Sequence, residues 1–182
     1  MNGYKEKEIK VLNIDVQRTI SHLEKIGAKE VFSGKRIIST FDFSDRRCLR
    51  NDILIRLTEE ENVKLTAHIN NTSVDDRQIV KIHINENSSI CKDFLSVVGL
   101  SEYTRLESYR TSYELGNVDF DLDQFPFIPP FLEIDVEFLD FPLDNLLDML
   151  DLKNNRIVKC GTENIYQIYG IDYFSTFKLW YY

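Results

Sequence analysis

The chain has 182 residues, 43% hydrophobic and 29% charged, which suits one globular domain, residues 1–182, with a core of its own. Its 30 acids against 22 lysines and arginines give a net charge of −8, and an acidic surface repels phosphate backbones, which argues against nucleic-acid binding. Three cysteines (Cys48, Cys91, Cys160) without metal-type spacing read as free thiols of a reducing cytosol, the charged N-terminus shows no apolar leader, and no apolar run approaches the ~20 residues that span a bilayer, so the reading is a soluble, cytoplasmic protein without a membrane partner.

The first predicted strand runs from Lys5 to Ile14. Asp15 then reads as a helix N-cap, and Val16, Ile20, Leu23 and Ile26 follow at helical spacing as far as Gly27. Strands are expected at Lys35–Phe43, Asp52–Thr58, Val63–Ile69 and Arg77–Ile84, with the polar loop NNTSVDD between the last two. The stretch SSICKDFLSVVG predicts a second helix, capped by Ser88 or Ser89 and ended by Gly99. Arg105–Leu115 and Val118–Asp123 flank Gly116-Asn117, a hairpin-type turn. The PFIPP segment breaks the ladder, Phe131–Phe138 is the last long strand, and short helices are expected at Pro142–Asp151 and Thr162–Tyr169. About eight strands with a few helices predict an α+β fold built on a mostly antiparallel sheet.

The strands share one pattern. In EKEIK, Glu6, Glu8 and Lys10 face one side, while Ile9 and Val11 face the other. VDFDLD sets Asp119, Asp121 and Asp123 against Val118, Phe120 and Leu122. LEIDVE sets Glu133, Asp135 and Glu137 against Leu132, Ile134 and Val136. Lys64, Thr66 and His68 oppose Val63, Leu65 and Ala67; Lys81 and His83 oppose Val80, Ile82 and Ile84; Arg110 opposes Tyr109 and Thr111.

A one-sided sheet with its polar face in water would look similar. Three features point elsewhere. Acids gather on some strands and bases on others. Like charges on neighbouring strands repel unless a cation sits among them. A sheet of this many strands can also curl closed, so that its polar face lines a tunnel and its apolar face packs outward under the helices. Carboxylates without cysteine or histidine clusters suit a hard cation, Mg2+ or Mn2+, and lysines and arginines opposite them suit phosphate oxygens. The implied ligand is an extended, metal-bridged polyphosphate.

EKEIK resembles the ExExK signature of the CYTH superfamily, the triphosphate tunnel metalloenzymes. YRTSYELGNVDFDLDQFPFIPPFLEID resembles the family's Arg-x-x-Tyr strand, the Asp-bearing strand after it and the closing Glu-x-Glu-type strand, and TENIYQIYGID resembles the tail of bacterial members. The resemblance implies an eight-stranded antiparallel β-barrel forming a polar tunnel, with helices outside. It implies metal ligands at Glu6, Glu8, Glu133 and Asp135, joined by Asp121 or Asp123. It also implies triphosphate contacts at Lys10, Arg56 and Arg110, the three candidate catalytic residues; Lys64 and Lys81, which stand at departures from the family pattern, read as further phosphate-binding cations.

The chain departs from the family pattern at Leu54, where an arginine is usual, at His68 for a lysine, at Ile79 and Lys81 for a Glu-x-Glu pair, and at Ser108 for a base. The expected function is that of a divalent-metal-dependent enzyme acting on a nucleoside, thiamine or inorganic triphosphate, as a phosphohydrolase. The alternatives are a class IV-type adenylyl cyclase, which makes cyclic AMP and pyrophosphate from ATP, and a catalytically weakened polyphosphate- or nucleotide-binding module. The aromatic end Trp180-Tyr181-Tyr182 suits a packed tail or a homodimer seam. His22 and Asp172 read as a surface residue and a structural residue.

Overall fold

The computed structural model describes residues 4–5, 8–72, 78–135 and 142–179, with side chains from residue 8 onward. The elements are β1 (Tyr4–Lys5), β2 (Glu8–Leu12), α1 (Val16–Lys25), β3 (Lys29–Asp42), α2 (Arg47–Arg50), β4 (Ile53–Glu59), β5 (Val63–Ile69), β6 (Gln78–Ile84), α3 (Ser88–Val97), β7 (Ser101–Leu115), β8 (Val118–Gln124), β9 (Phe131–Asp135), α4 (Leu143–Met149), β10 (Ile157–Val158), α5 (Thr162–Ile168) and α6 (Tyr173–Thr176). The strands pair in the order β1-β6-β5-β4-β3-β7-β8-β9-β2-β10. The registered pairs β1–β6, β6–β5, β5–β4, β4–β3, β7–β8, β8–β9, β9–β2 and β2–β10 are antiparallel, as the α+β reading requires.

The expected first strand is two strands. β1 pairs with β6, whereas β2 lies between β9 and β10. Glu6, between them, lies outside the described residues. The chain forms two compact units, one of residues 1–5, 36–107 and 161–182, the other of residues 6–35 and 108–160. The long strands β3 and β7 each contribute one part to either unit.

In the second unit the apolar halves of the alternating strands pack under helices. Ile9 and Val11 of β2, Phe120 and Leu122 of β8, and Leu132 and Ile134 of β9 form one core with Leu23 of α1 and Leu146 and Leu147 of α4. Each such side chain contributes about 2 kcal/mol when fully buried. α1 begins where the Asp15 carboxylate accepts the backbone N–H of Arg18 at 3.0 Å, and the chain turns out of it at Gly27, whose φ of +92° suits glycine. Gly116, at φ +62°, makes the two-residue turn between β7 and β8, where Leu115 pairs with Val118. His22 is not a free surface residue: it is half-buried and its Nδ1 donates to the Leu150 carbonyl at 2.8 Å.

In the first unit Phe41, Cys48, Leu57, Cys91, Leu95 and Leu100 form the core between sheet, α2 and α3. α2 was not foreseen. Its first N–H groups are satisfied by Asp42, which accepts from Cys48 N at 3.0 Å and Leu49 N at 3.2 Å. All three cysteines are free thiols, and burial pushes the Cys48 thiol up to about 11 and Cys91 up as well. Asp172 caps α6, accepting from Ser175 N at 3.2 Å. Among the described residues no helix is long and apolar enough to cross a membrane.

Candidate functional site: two ionised patches

Strand register decides which charges meet. In the second unit Glu8 lies opposite Asp135, Lys10 opposite Glu133, Glu133 opposite Asp121, Asp121 opposite Ser112, and Asp123 opposite Arg110. One face of β2, β9, β8 and β7 therefore carries the charged halves of the alternation, and the other faces the helices.

The middle of that charged face is shielded from water, with Glu8, Asp121 and Glu133 half-buried around it and Asp119 exposed at its edge. Lys10 is 1% exposed and Asp123 0%. The Lys10 ammonium bonds to Glu8 and lies 3.3 Å from Glu133 Oε2. Arg110 forks onto Asp123, with Nε to Oδ1 at 2.7 Å and Nη2 to Oδ2 at 2.5 Å. Its Nη1 donates to Asp121, and Glu133 Oε2 lies 3.7 Å from Nη2. Ser112 Oγ donates to Asp121 Oδ1 at 2.5 Å. A sheet with one wet face would leave these groups to solvent; here they satisfy one another.

The electrostatics follow from that crowding. Burial works against the Arg110 charge, but Asp123, Asp121 and Glu133 outweigh it and hold the guanidinium well above its ordinary pKa. Burial pushes the Asp121 carboxyl up, Arg110 pulls it back, and Glu133 and Asp123 push it up again, so it ends above the usual carboxylate value. Glu8, Asp121, Asp123 and Glu133 against Lys10 and Arg110 are four carboxylates against two cations.

The first unit carries the basic patch. Thr40 of β3, Arg56 of β4, Thr66 of β5 and Lys81 of β6 are successive partners in one row. Thr58, Lys64 and His83 make the next. Lys64 bonds to Glu60 and Lys81 is exposed. Arg56 Nη2 donates to Glu163 Oε1 of α5 at 2.8 Å. The Tyr173 hydroxyl is pushed up by burial and by the Glu163 charge, and feels Arg56 and Arg36 as well. Arg36, only 6% exposed, and Glu163, 4% exposed, were not among the expected site residues. Arg36 shares a face of β3 with Ile38 and with Thr40 of the Arg56 row, a two-residue spacing readable in the sequence. Glu163 stands 107 residues from Arg56 on a helix, and no spacing rule connects them.

Three of the departures fall into one row. Leu54 pairs with His68, and His68 with Ile79. All three are buried, at 1%, 6% and 2% exposure. They form a single layer of paired side chains beside the Arg56 row, not three separate losses. His68 Nε2 lies 3.1 Å from Thr66 Oγ1, which links the two rows.

The structure thus brings together Glu8, Lys10, Arg110, Asp121, Asp123, Glu133 and, by register, Asp135 in one unit, and places Arg56, Lys64 and Lys81 in the other. The acidic patch offers oxygen donors only, the set a hard cation takes. Among the described residues no three acids, histidines or cysteines gather as a ready cage for a metal ion. Magnesium needs only one or two carboxylates beside ligand phosphate oxygens and water. The donor chemistry of the patch suits one or two such contacts, not a complete metal cage.

No protein-family model matches the chain, and no curated protein matches it by sequence. Solved structures do. A candidate adenylate cyclase from Vibrio parahaemolyticus superposes with TM-score 0.66 over 100% of this chain and 96% of its own, at 12% identity. A protein from Pyrococcus horikoshii gives TM-score 0.66 over 91% of this chain and 99% of its own, at 15% identity. A candidate adenylyl cyclase from Hippeastrum, described by its dominant triphosphatase activity, gives TM-score 0.64 over 92% and 97%, at 12% identity. The chain shares the fold of these structures. At these identities the likeness covers the fold alone, and the chemistry has to be argued from the residues.

Proposed function

We propose that the protein is a divalent-metal-dependent phosphohydrolase that acts on a triphosphate, nucleoside, thiamine or inorganic. The observation that carries the reading is the buried acidic patch, in which a lysine and an arginine are enclosed by carboxylates on a face that a soluble one-sided sheet would expose. The shared fold supports it, because structures with that fold include the Hippeastrum triphosphatase.

In this reading Lys10, Arg56, Lys64, Lys81 and Arg110 bind and orient the phosphates, and Lys10, Arg56 and Arg110 offset the charge that develops on the transferring phosphoryl group. Glu8, Glu133 and Asp135, with Asp121 or Asp123, would hold Mg2+ or Mn2+. When bound, such an ion supplies charge neutralisation to bridging phosphate oxygens. Water attack at the terminal phosphorus forms one P–O bond and breaks another, releasing phosphate.

The row Leu54–His68–Ile79, which stands where the family pattern has an arginine, a lysine and an acid, favours a second reading, binding without turnover. Attack by a ribose 3′-hydroxyl on the α-phosphorus of ATP, the cyclase reaction, is the third. One experiment separates them. Purified protein is incubated with Mg2+ or Mn2+ and tripolyphosphate, ATP or thiamine triphosphate, and phosphate, pyrophosphate and cyclic AMP are followed. Phosphate release supports the hydrolase; cyclic AMP with pyrophosphate replaces it by the cyclase; no product from any substrate removes the enzyme reading.

A further inference from the structure

We propose that Glu163 is the resident counter-ion of the Arg56 phosphate site and makes that site prefer metal-complexed over free triphosphate. The inference rests on the triphosphate reading above.

Two arginine–carboxylate pairs on this chain are built differently. Asp123 uses both oxygens on Arg110, at 2.7 and 2.5 Å, a fork that locks the guanidinium. Glu163 uses one, Oε1, at 2.8 Å from Arg56 Nη2. Its other oxygen, Oε2, is buried and has no hydrogen-bond partner among the described residues. A buried acceptor left so is costly, and the one-point contact is a weaker hold than a fork.

The charge nevertheless stays where it is. Glu163 sits in the first turn of α5, whose Ile165 and Tyr166 are 0% exposed. Tyr166 packs edge-on against Tyr173 and Phe177, with ring centroids 5.4 and 5.3 Å away. The carboxylate is positioned by a packed helix, and its charge reaches the buried Tyr173 hydroxyl together with those of Arg56 and Arg36.

A fixed negative charge beside Arg56 repels a ligand in proportion to the ligand's own charge. A free triphosphate suffers more than one whose charge is halved by a bound dication. Glu163 is then a specificity-determining residue: it leaves Arg56 cationic enough for the complex and too neutralised for the bare anion.

The test is a calorimetric titration with tripolyphosphate, in EDTA and in Mg2+, of the wild type, Glu163→Gln, Glu163→Asp, Arg56→Gln and the Arg56→Gln/Glu163→Gln double variant. Glu163→Gln is expected to tighten free tripolyphosphate about tenfold and the magnesium complex less, from one unit charge at close range under partial screening. Glu163→Asp, which draws the charge back by one methylene, is expected to tighten it about threefold and keeps the test open if the glutamine variant does not fold. In the Arg56→Gln background binding is expected to be weaker throughout, and Glu163→Gln is still expected to tighten free tripolyphosphate more than the magnesium complex, because the fixed charge then acts with no cation beside it. Equal or weaker binding by both Glu163 variants, with wild-type binding intact, would overturn the proposal and leave Glu163 a packing residue. Absence of wild-type binding in both conditions would bring down the triphosphate reading and this inference with it.

Discussion

Replacing Arg110 by methionine keeps much of the side chain's bulk and removes its charge. Asp123, 0% exposed, then loses hydrogen bonds of 2.7 and 2.5 Å on its two oxygens, and Asp121 and Glu133 lose their nearby cation. Stranding a buried carboxylate costs about 3–5 kcal/mol. Against a domain stability of roughly 5–15 kcal/mol this is a large fraction. Urea unfolding at neutral pH, followed by circular dichroism, should show the midpoint lowered by about 2 M for a slope near 2 kcal/mol/M. Arg110→Met combined with Asp123→Leu, which replaces the pair by apolar groups, should recover at least half of the loss. A loss under about 1 kcal/mol, the range of an exposed pair, or no recovery in the double variant, would refute the picture of a closed charge cluster.

Other outcomes follow from the same contacts. Glu59 takes hydrogen bonds from Lys92 at 2.6 Å and from Ser88; burial opposes its charge, the two partners prevail, and its carboxyl is held below the ordinary value. That stabilisation is complete above the unfolded value of about 4.3 and is lost as pH falls through the lowered folded value. Glu59→Gln should therefore cost about 1 kcal/mol at neutral pH and flatten the acid side of a stability profile measured by urea midpoints. Gly116→Ala should cost about 1 kcal/mol in thermal unfolding, because φ is +62° in a turn with open space around it and strain is the only penalty. Glu133→Gln and Lys10→Ala should each abolish triphosphate turnover with native circular dichroism retained, and chelation of divalent metal should abolish it reversibly; an active Lys10→Ala/Glu133→Gln double variant would place the site elsewhere.

Period-two alternation made the acidic patch legible before any coordinates. VDFDLD and LEID place Asp121 against Glu133 because both strands keep one buried face, which fixes register. The Gly116-Asn117 turn and the Asp15 cap were equally readable, since each is a local rule. Elements set by distant partners were not. α2 is capped by Asp42 from the preceding strand, and β10 is two residues that exist only as partners of β2. β3 extends back to Lys29, past the expected start at Lys35, and β7 begins at Ser101, earlier than the expected Arg105. The second helix is capped by Asn87, which accepts from Ser89 N, in place of a serine. In the basic patch the departures at Leu54, His68 and Ile79 looked independent in sequence. Pairing shows them to be one layer, and Glu163 entered only through the packing of the tail.

In the proposed function the ionised strand faces bind a triphosphate together with a divalent cation. Calorimetric titration of the wild type and Lys10→Met with tripolyphosphate and Mg2+ tests it most directly. The expected result is saturable binding by the wild type that falls away in EDTA and in the Lys10→Met variant. Absence of wild-type binding, or equal binding by a folded Lys10→Met protein, would contradict it.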